Sequence, residues 1–172
     1  MNLYVVRHGI AVAQGTPGVA EDQRPLTEEG IKKMSEAARG LRALSVEPQL
    51  ILSSPLPRAL QTAKIVQKTI DSDIALKTLS CLSPGGNRSE LYEELRREGK
   101  REAIMIVGHQ PALGEISGEI AWGSVEKYIE FKKGGTCCLE IEDLSDPPRG
   151  TLLWLATPGM LRLMSKRDKT GA

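Results

Sequence analysis

The chain has 172 residues, 40% of them hydrophobic, with 23 basic against 22 acidic side chains and a net charge of +1, which fits one globular domain over residues 1–172. That balance excludes a strongly basic nucleic-acid surface and a disordered tail, and one Phe, two Trp and three Tyr offer no platform for stacking bases. Cys81 and the adjacent pair Cys137 and Cys138 do not make a disulfide framework, and no leader-like or membrane-length apolar stretch is read, so the expected setting is cytoplasmic, without a membrane or nucleic-acid partner.

In chain order, Leu3 to Val6 is a short apolar run rich in β-branched residues and reads as a buried strand, with Arg7, His8 and Gly9 at its carboxyl end. Ile10 to Arg24 is Gly-, Pro- and polar-rich and reads as a loop over that end. Thr27 then has the character of an N-cap, followed by Glu28 and Glu29 where the helix dipole favours them. Ile31, Met34, Ala38 and Leu41 continue at helical spacing. Val46-Glu47-Pro48 breaks this helix before a second strand, Leu50 to Leu52, which ends in Ser53-Ser54-Pro55.

A second helix is expected over about 57–70, with Pro57 tolerated in its first turn, Arg58 near its start and Leu60, Ala63 and Ile70 as its apolar stripe. Ile74 to Leu79 reads as a strand and Ser83-Pro84-Gly85-Gly86 as a turn. Asn87 or Ser89 caps a short helix through Leu91 and Leu95 that ends near Gly99. Ala103 to Val107 is again a buried strand, and it ends in Gly108-His109-Gln110-Pro111. Pro111 opens a helix to about Ala121 with Leu113, Ile116 and Ile120 on one face. Gly134-Gly135 is expected to separate two antiparallel strands, Tyr128 to Lys132 and Thr136 to Glu142. A last strand over Leu152 to Ala156 and an amphipathic segment over Met160 to Lys166 follow. The alternation of strands and helices implies an α/β fold, a three-layer α/β/α sandwich with a mostly parallel central sheet and antiparallel strands from the second half.

The two histidines share a setting. Both His8 and His109 follow an apolar run at a strand's carboxyl end, which is where open α/β sheets bind ligands. Arg7 and Arg58 arrive at the same edge, and their forked donors suit phosphate oxygens. A neutral histidine can act as a covalent nucleophile. Two Arg and two His without clustered Asp, Glu and Cys ligands form a phosphoryl-transfer site that uses no metal and no cofactor.

Arg7-His8-Gly9, Ser53-Ser54-Pro55-x-x-Arg58-Ala59-x-x-Thr62-Ala63 and Gly108-His109 resemble the three signatures of the histidine phosphatase, or phosphoglycerate mutase-like, superfamily. The short chain, Arg24-Pro25-Leu26-Thr27-x-x-Gly30 and Leu82-Ser83-Pro84-Gly85-Gly86 are most similar to SixA-type phosphohistidine phosphatases. The resemblance implies the same fold. It also implies His8 and His109 as catalytic residues, and Arg7, Arg58 and His109 as phosphate ligands. Arg24 is a further phosphate-binding candidate, with an exposed structural arginine as the alternative. The implied partner is a phosphohistidine protein of the histidine phosphotransfer type, dephosphorylated through phospho-His8. The alternatives are a small-molecule phosphomonoesterase of the same superfamily and an inactive phosphoprotein-binding module. The neighbouring charges of Arg7 and Arg58 are expected to keep His8 neutral.

Two departures from the wider superfamily stand out. Ile10 follows Arg-His-Gly where many members have a polar residue, and the segment between Arg58 and His109, which in the mutases carries an acidic proton donor, is short. Glu90, Glu21 and Asp22 are the candidate acids here, each with a solvated surface carboxylate as the alternative. The oligomeric state is not encoded in any of these features.

Overall fold

In the computed structural model, strands β1 (Asn2–Arg7), β2 (Leu50–Ser53), β3 (Ala75–Thr78), β4 (Ala103–Gly108), β5 (Thr136–Asp143) and β6 (Arg149–Ala156) form one sheet in the order β3-β2-β4-β1-β5-β6. The structure describes residues 1–167, so the last five residues of the 1–172 span lie outside the described residues. The pairings β2 with β3, β2 with β4 and β1 with β4 are parallel, whereas β5 runs antiparallel to both β1 and β6. Every residue of β2 and β4 is buried, as expected for strands covered on both faces.

Helices cover both faces. Leu3 and Val5 of β1, Leu50 and Leu52 of β2, and Ile104 and Ile106 of β4 pack with Leu91 and Leu95 of α3 (Arg88–Arg97) and Leu113, Ile116 and Ile120 of α4 (Ala112–Trp122). The alternate residues, among them Tyr4, Val6, Ile51, Met105 and Val107, face α1 (Glu28–Ala43), α2 (Pro57–Ile70) and α5 (Pro158–Arg167). The period of two along each strand thus divides the apolar residues into two cores, and the three-layer sandwich with a mostly parallel sheet is realised.

Local signals behave as their chemistry requires. Thr27 Oγ1 accepts the Gly30 N–H at 2.9 Å, and Asn87 caps α3 by accepting the Ser89 N–H at 3.0 Å. Gly30 is needed because a Cβ there would collide with the Ile10 carbonyl, and Gly40 because a Cβ would collide with Leu161, where α1 and α5 pack closely. All three cysteines are free. No described helix is long and apolar enough to cross a membrane.

Three sequence expectations are corrected. Residues 128–132 are not a strand: β5 already has β1 on one edge and β6 on the other, so no edge is open to them. Ile129 and Phe131 are nevertheless buried, and the Gly134 N–H turns back to the Arg7 and His8 carbonyls instead of closing a hairpin. In α1 the buried residues are Gly30, Met34, Ala37, Ala38, Gly40 and Leu41, while Ile31 is exposed. In α2 the buried residues are Arg58, Ala59, Thr62, Ala63 and Val66, with Leu60 and Ile70 only half-buried. The inner face of α2 is built of small and functional residues, which brings its first turn close to the sheet edge. Some boundaries also differ from expectation, β6 starting at Arg149 and α3 ending at Arg97.

Candidate active site

The strand register sets the site. Arg7 of β1 lies opposite Gly108 of β4, and Ser53 of β2 lies opposite Val107. The next residues, His8, His109 and Ser54, therefore leave the sheet at one level. The His8 N–H donates to the Gly108 carbonyl at 3.1 Å and the Ser54 N–H to the Val107 carbonyl at 2.9 Å. These bonds tie the three strand ends together just where the side chains emerge.

His8 and His109 stand with ring centroids 5.1 Å apart and planes inclined by 55°. His8 Nδ1 is 2.7 Å from the Gly9 carbonyl. A carbonyl can only accept, so Nδ1 carries the proton and Nε2 keeps its lone pair. Burial holds the His8 imidazolium well below the ordinary value, to about 4, with the Arg58, Arg7 and Lys133 charges adding to the shift and the Gly9 carbonyl opposing it. The cause expected from the sequence, the neighbouring arginines, is real but comes after desolvation. His109 is lowered to about 3, again mainly by burial, then by His8, Arg58, Arg24 and Arg7. Both rings are neutral at pH 7.

His109 Nε2 meets Ser54 Oγ at 2.9 Å. That hydroxyl already accepts the Leu56 N–H at 3.3 Å, and its contact to Ser83 Oγ is longer than the one to His109, at 3.4 Å. A Ser54 proton given to His109 Nε2 would leave the ring proton on Nδ1. His109 Nδ1 is itself buried with no hydrogen-bond partner among the described residues.

The arginines are held from behind. Arg7 Nη1 donates to the Phe131 carbonyl at 2.5 Å and Arg58 Nη1 to the Glu21 carbonyl at 3.0 Å. Arg58 is 3% exposed. The Nε atoms of both arginines are buried, with no hydrogen-bond partner among the described residues. Unpaired buried donors are costly, and the charges of both arginines are felt at the two neutral imidazoles. The set suits an anion with several acceptor oxygens.

Thr62, which the sequence marks only by its place in the signature, links two parts of the site. Fully buried in α2, it accepts the Gly9 N–H at 3.0 Å and donates to the Arg58 carbonyl at 2.7 Å. Ser54, at 2.9 Å from His109 Nε2, is likewise a site residue that the sequence reading does not single out. Their presence beside Arg58 in Ser53-Ser54-Pro55-x-x-Arg58-Ala59-x-x-Thr62 was the available signal.

The remaining candidates are placed as follows. Arg24 turns to the Glu21 carboxylate, with Nε at 2.9 Å and Nη2 at 2.5 Å, and donates to the Val12 carbonyl at 2.7 Å. It pins the loop, and its charge reaches Arg58 and His109. The Glu21 carboxylate also lies 3.6 Å from Arg58 Nη2, and the Arg24 hydrogen bond holds its carboxyl below the usual carboxylate range. Glu21 is therefore ionised at pH 7. Asp22 lines a cleft of about 410 Å³ with Glu21, Leu56 and Arg58. Glu90 is exposed in the first turn of α3, where its charge is felt at Cys81. Among the described residues no group of three or more His, Cys, Asp or Glu is placed to hold a metal ion.

Comparisons with known proteins agree with this geometry. Residues 3–82 match the family model of the Histidine phosphatase superfamily (branch 1). An uncharacterized protein of Picosynechococcus sp. is 37% identical over 138 residues, covering 78% of this chain and 82% of its own. The phosphohistidine phosphatase SixA of Escherichia coli K12 is 25% identical over 166 residues, covering 95% and 98%. The structure of the protein histidine phosphatase SixA complexed with tungstate superposes with a TM-score of 0.81 at 25% identity, covering 92% of this chain and 98% of that one.

Proposed function

Since the chain belongs to the histidine phosphatase superfamily, we propose that residues 1–172 act as one catalytic domain, a metal-independent phosphohistidine phosphatase that uses His8 as nucleophile on a phosphohistidine protein. The observation that carries this reading is the His8 tautomer. With Nδ1–H bound to the Gly9 carbonyl and the ring neutral, the Nε2 lone pair is free beside two guanidiniums.

In the first step Nε2 attacks phosphorus, the bond to the substrate's ring nitrogen breaks, and its electron pair stays on that nitrogen. The other nitrogen of the departing ring carries a proton from solvent, so a neutral imidazole leaves. In the second step water attacks phospho-His8, the P–N bond breaks with its pair returning to Nε2, and both water protons depart with the phosphate. Arg7, Arg58 and the His109 Nδ1–H serve as donors to the equatorial oxygens, the preorganised electrostatics on which phosphoryl transfer depends. An ester would instead expel an alkoxide and need an acid at the bridging oxygen. Glu21, held ionised by Arg24, is poorly suited to that task, and this favours phosphohistidine over phosphate esters.

The test compares phosphate release from a phosphohistidine protein, a phosphoserine peptide and a sugar phosphate, with and without EDTA, in the unaltered protein and in Glu21→Gln, Asp22→Asn and Glu90→Gln. Phosphohistidine should be strongly preferred, EDTA should have no effect, and acid-labile phosphate should be trapped on His8. Equal turnover of a sugar phosphate would favour the small-molecule phosphomonoesterase. No turnover of any substrate would favour the binding module.

A further inference from the structure

A cleft of about 510 Å³ opens beside Arg7, between α1, α5 and residues 130–134. Ile10, Ala37 and Pro158 are among its apolar lining. Its walls carry Arg7, Lys33, Lys132, Lys133 and Arg162 against one carboxylate, Glu130. Two of those cations are partly answered, since Lys33 reaches Glu29 at 2.5 Å and Arg162 reaches Glu36 at 3.7 Å. Lys132 and Lys133 are exposed and have no acidic partner among the described residues. The Lys133 charge is felt at His8, so this cationic wall begins within electrostatic reach of the phosphoryl centre.

Because the cleft shares Arg7 with the phosphate site, whatever enters it while a phosphohistidine is bound must sit close to that residue on the substrate. On a helix, side chains three or four positions apart stand about 5–6 Å from one another. From this placement we infer that the cleft docks an acidic side chain carried one helical turn from the phosphohistidine of the substrate protein. The carboxylate meets Lys132 and its neighbours, and the aliphatic stem of a glutamate lies along the apolar lining near Pro158, as amphipathic side chains do. The inference rests on the phosphohistidine-protein reading and names the feature by which the protein selects among such substrates. Rim charges of this kind act on encounter and binding, so they affect KM and leave the chemical step alone.

The experiment uses three probes: a helical peptide with one phosphohistidine flanked by glutamates three and four residues away, the same peptide with glutamines there, and free phosphohistidine. The unaltered protein should show a lower KM for the glutamate peptide, with a difference that shrinks as salt is raised. Lys132→Glu and the pair Lys33→Glu/Lys132→Glu, which leave Lys133 and the catalytic groups in place, should raise that KM about tenfold with kcat little changed. Lys132→Arg should retain the preference, and free phosphohistidine should be hydrolysed alike by every variant. Equal KM for the two peptides, or a glutamate preference that survives charge reversal, overturns the docking inference alone. Failure of the unaltered protein to release phosphate from any of the three overturns the phosphohistidine reading, and the docking inference with it.

Discussion

Thr62 joins Gly9 to Arg58 through one buried hydroxyl, accepting from the first at 3.0 Å and donating to the second at 2.7 Å. The loop that follows His8 and the helix that carries Arg58 are thereby fixed to each other. Thr62→Val keeps the shape but leaves the Gly9 N–H unpaired in a dry site, which should destabilise the protein by about 1–3 kcal/mol and lower kcat. Thr62→Ser should recover most of both. Urea unfolding and steady-state rates on the same preparations check this, and a Val variant with unaltered stability and rate would remove Thr62 from the account.

The two imidazoles are the only ones in the chain, so their titrations can be followed as two resolved proton resonances, assigned with His8→Asn and His109→Asn. Midpoints near 4 for His8 and near 3 for His109 are expected in the folded protein. A midpoint near the ordinary 6.5 for either ring would show that it is solvated.

The same shifts make stability depend on pH. Each folded-state value is depressed, so below pH 6.5 the unfolded chain takes up protons that the folded protein does not. The stabilisation is complete above that pH and is lost as pH falls toward 4 and then 3, by about 1.4 kcal/mol per pH unit for each ring. Denaturation at pH 7, 6 and 5 should show a shallower decline in His8→Asn than in the unaltered protein. Parallel declines would mean that His8 contributes nothing to the acid sensitivity.

Ser54 should control which His109 nitrogen bears the proton. Ser54→Ala removes the hydroxyl 2.9 Å from Nε2, and on the proposed role of His109 kcat should fall about tenfold or more as the ring loses its fixed orientation. Nitrogen-15 shifts of the ring report the tautomer directly. An unchanged tautomer with an unchanged rate would reduce Ser54 to packing.

Arg58→Ala should lower turnover by at least about 10²-fold, because a charge-assisted donor of oxyanion-hole type is lost. Arg58→Lys should recover only part of it, since an ammonium is a point charge and cannot reproduce the planar fork. Full activity in the lysine variant would show that charge alone suffices there.

Where a segment's periodicity and its ending agreed, the sequence was legible. β1, β2 and β4 each combine a buried apolar run with an abrupt polar end, and the meeting of Arg7, His8, Arg58 and His109 follows from those ends being parallel and level. Residues 128–132 misled because Ile129 and Phe131 alternate like a strand. What decides their form is the occupancy of β5's two edges, which is a property of the whole sheet. Ile31 and Leu60 mislead because apolar character alone does not give inward direction, whereas Ile70 does pack against the core and the buried faces of α1 and α2 are built largely of alanines with Met34, Leu41 and Val66. The hydroxyl contacts of Ser54 and Thr62 depend on distances between separate elements, and no local pattern reports these.

The parallel pairing of β1 with β4 places the two halves of the chemistry about a hundred residues apart in the chain but side by side in the middle of the sheet. A growing polypeptide therefore carries no working centre until β4 has left the ribosome and found β1, a non-local pairing of the kind that slows folding. Once formed, the centre stands on strands with neighbours on both sides. The amides of Val5, Val6, Ile106 and Val107 should exchange with deuterium only through global unfolding, while those of the edge strands β3 and β6 exchange through local opening. Activity should therefore persist through fraying at either sheet edge and disappear only with the cooperative loss of the whole fold.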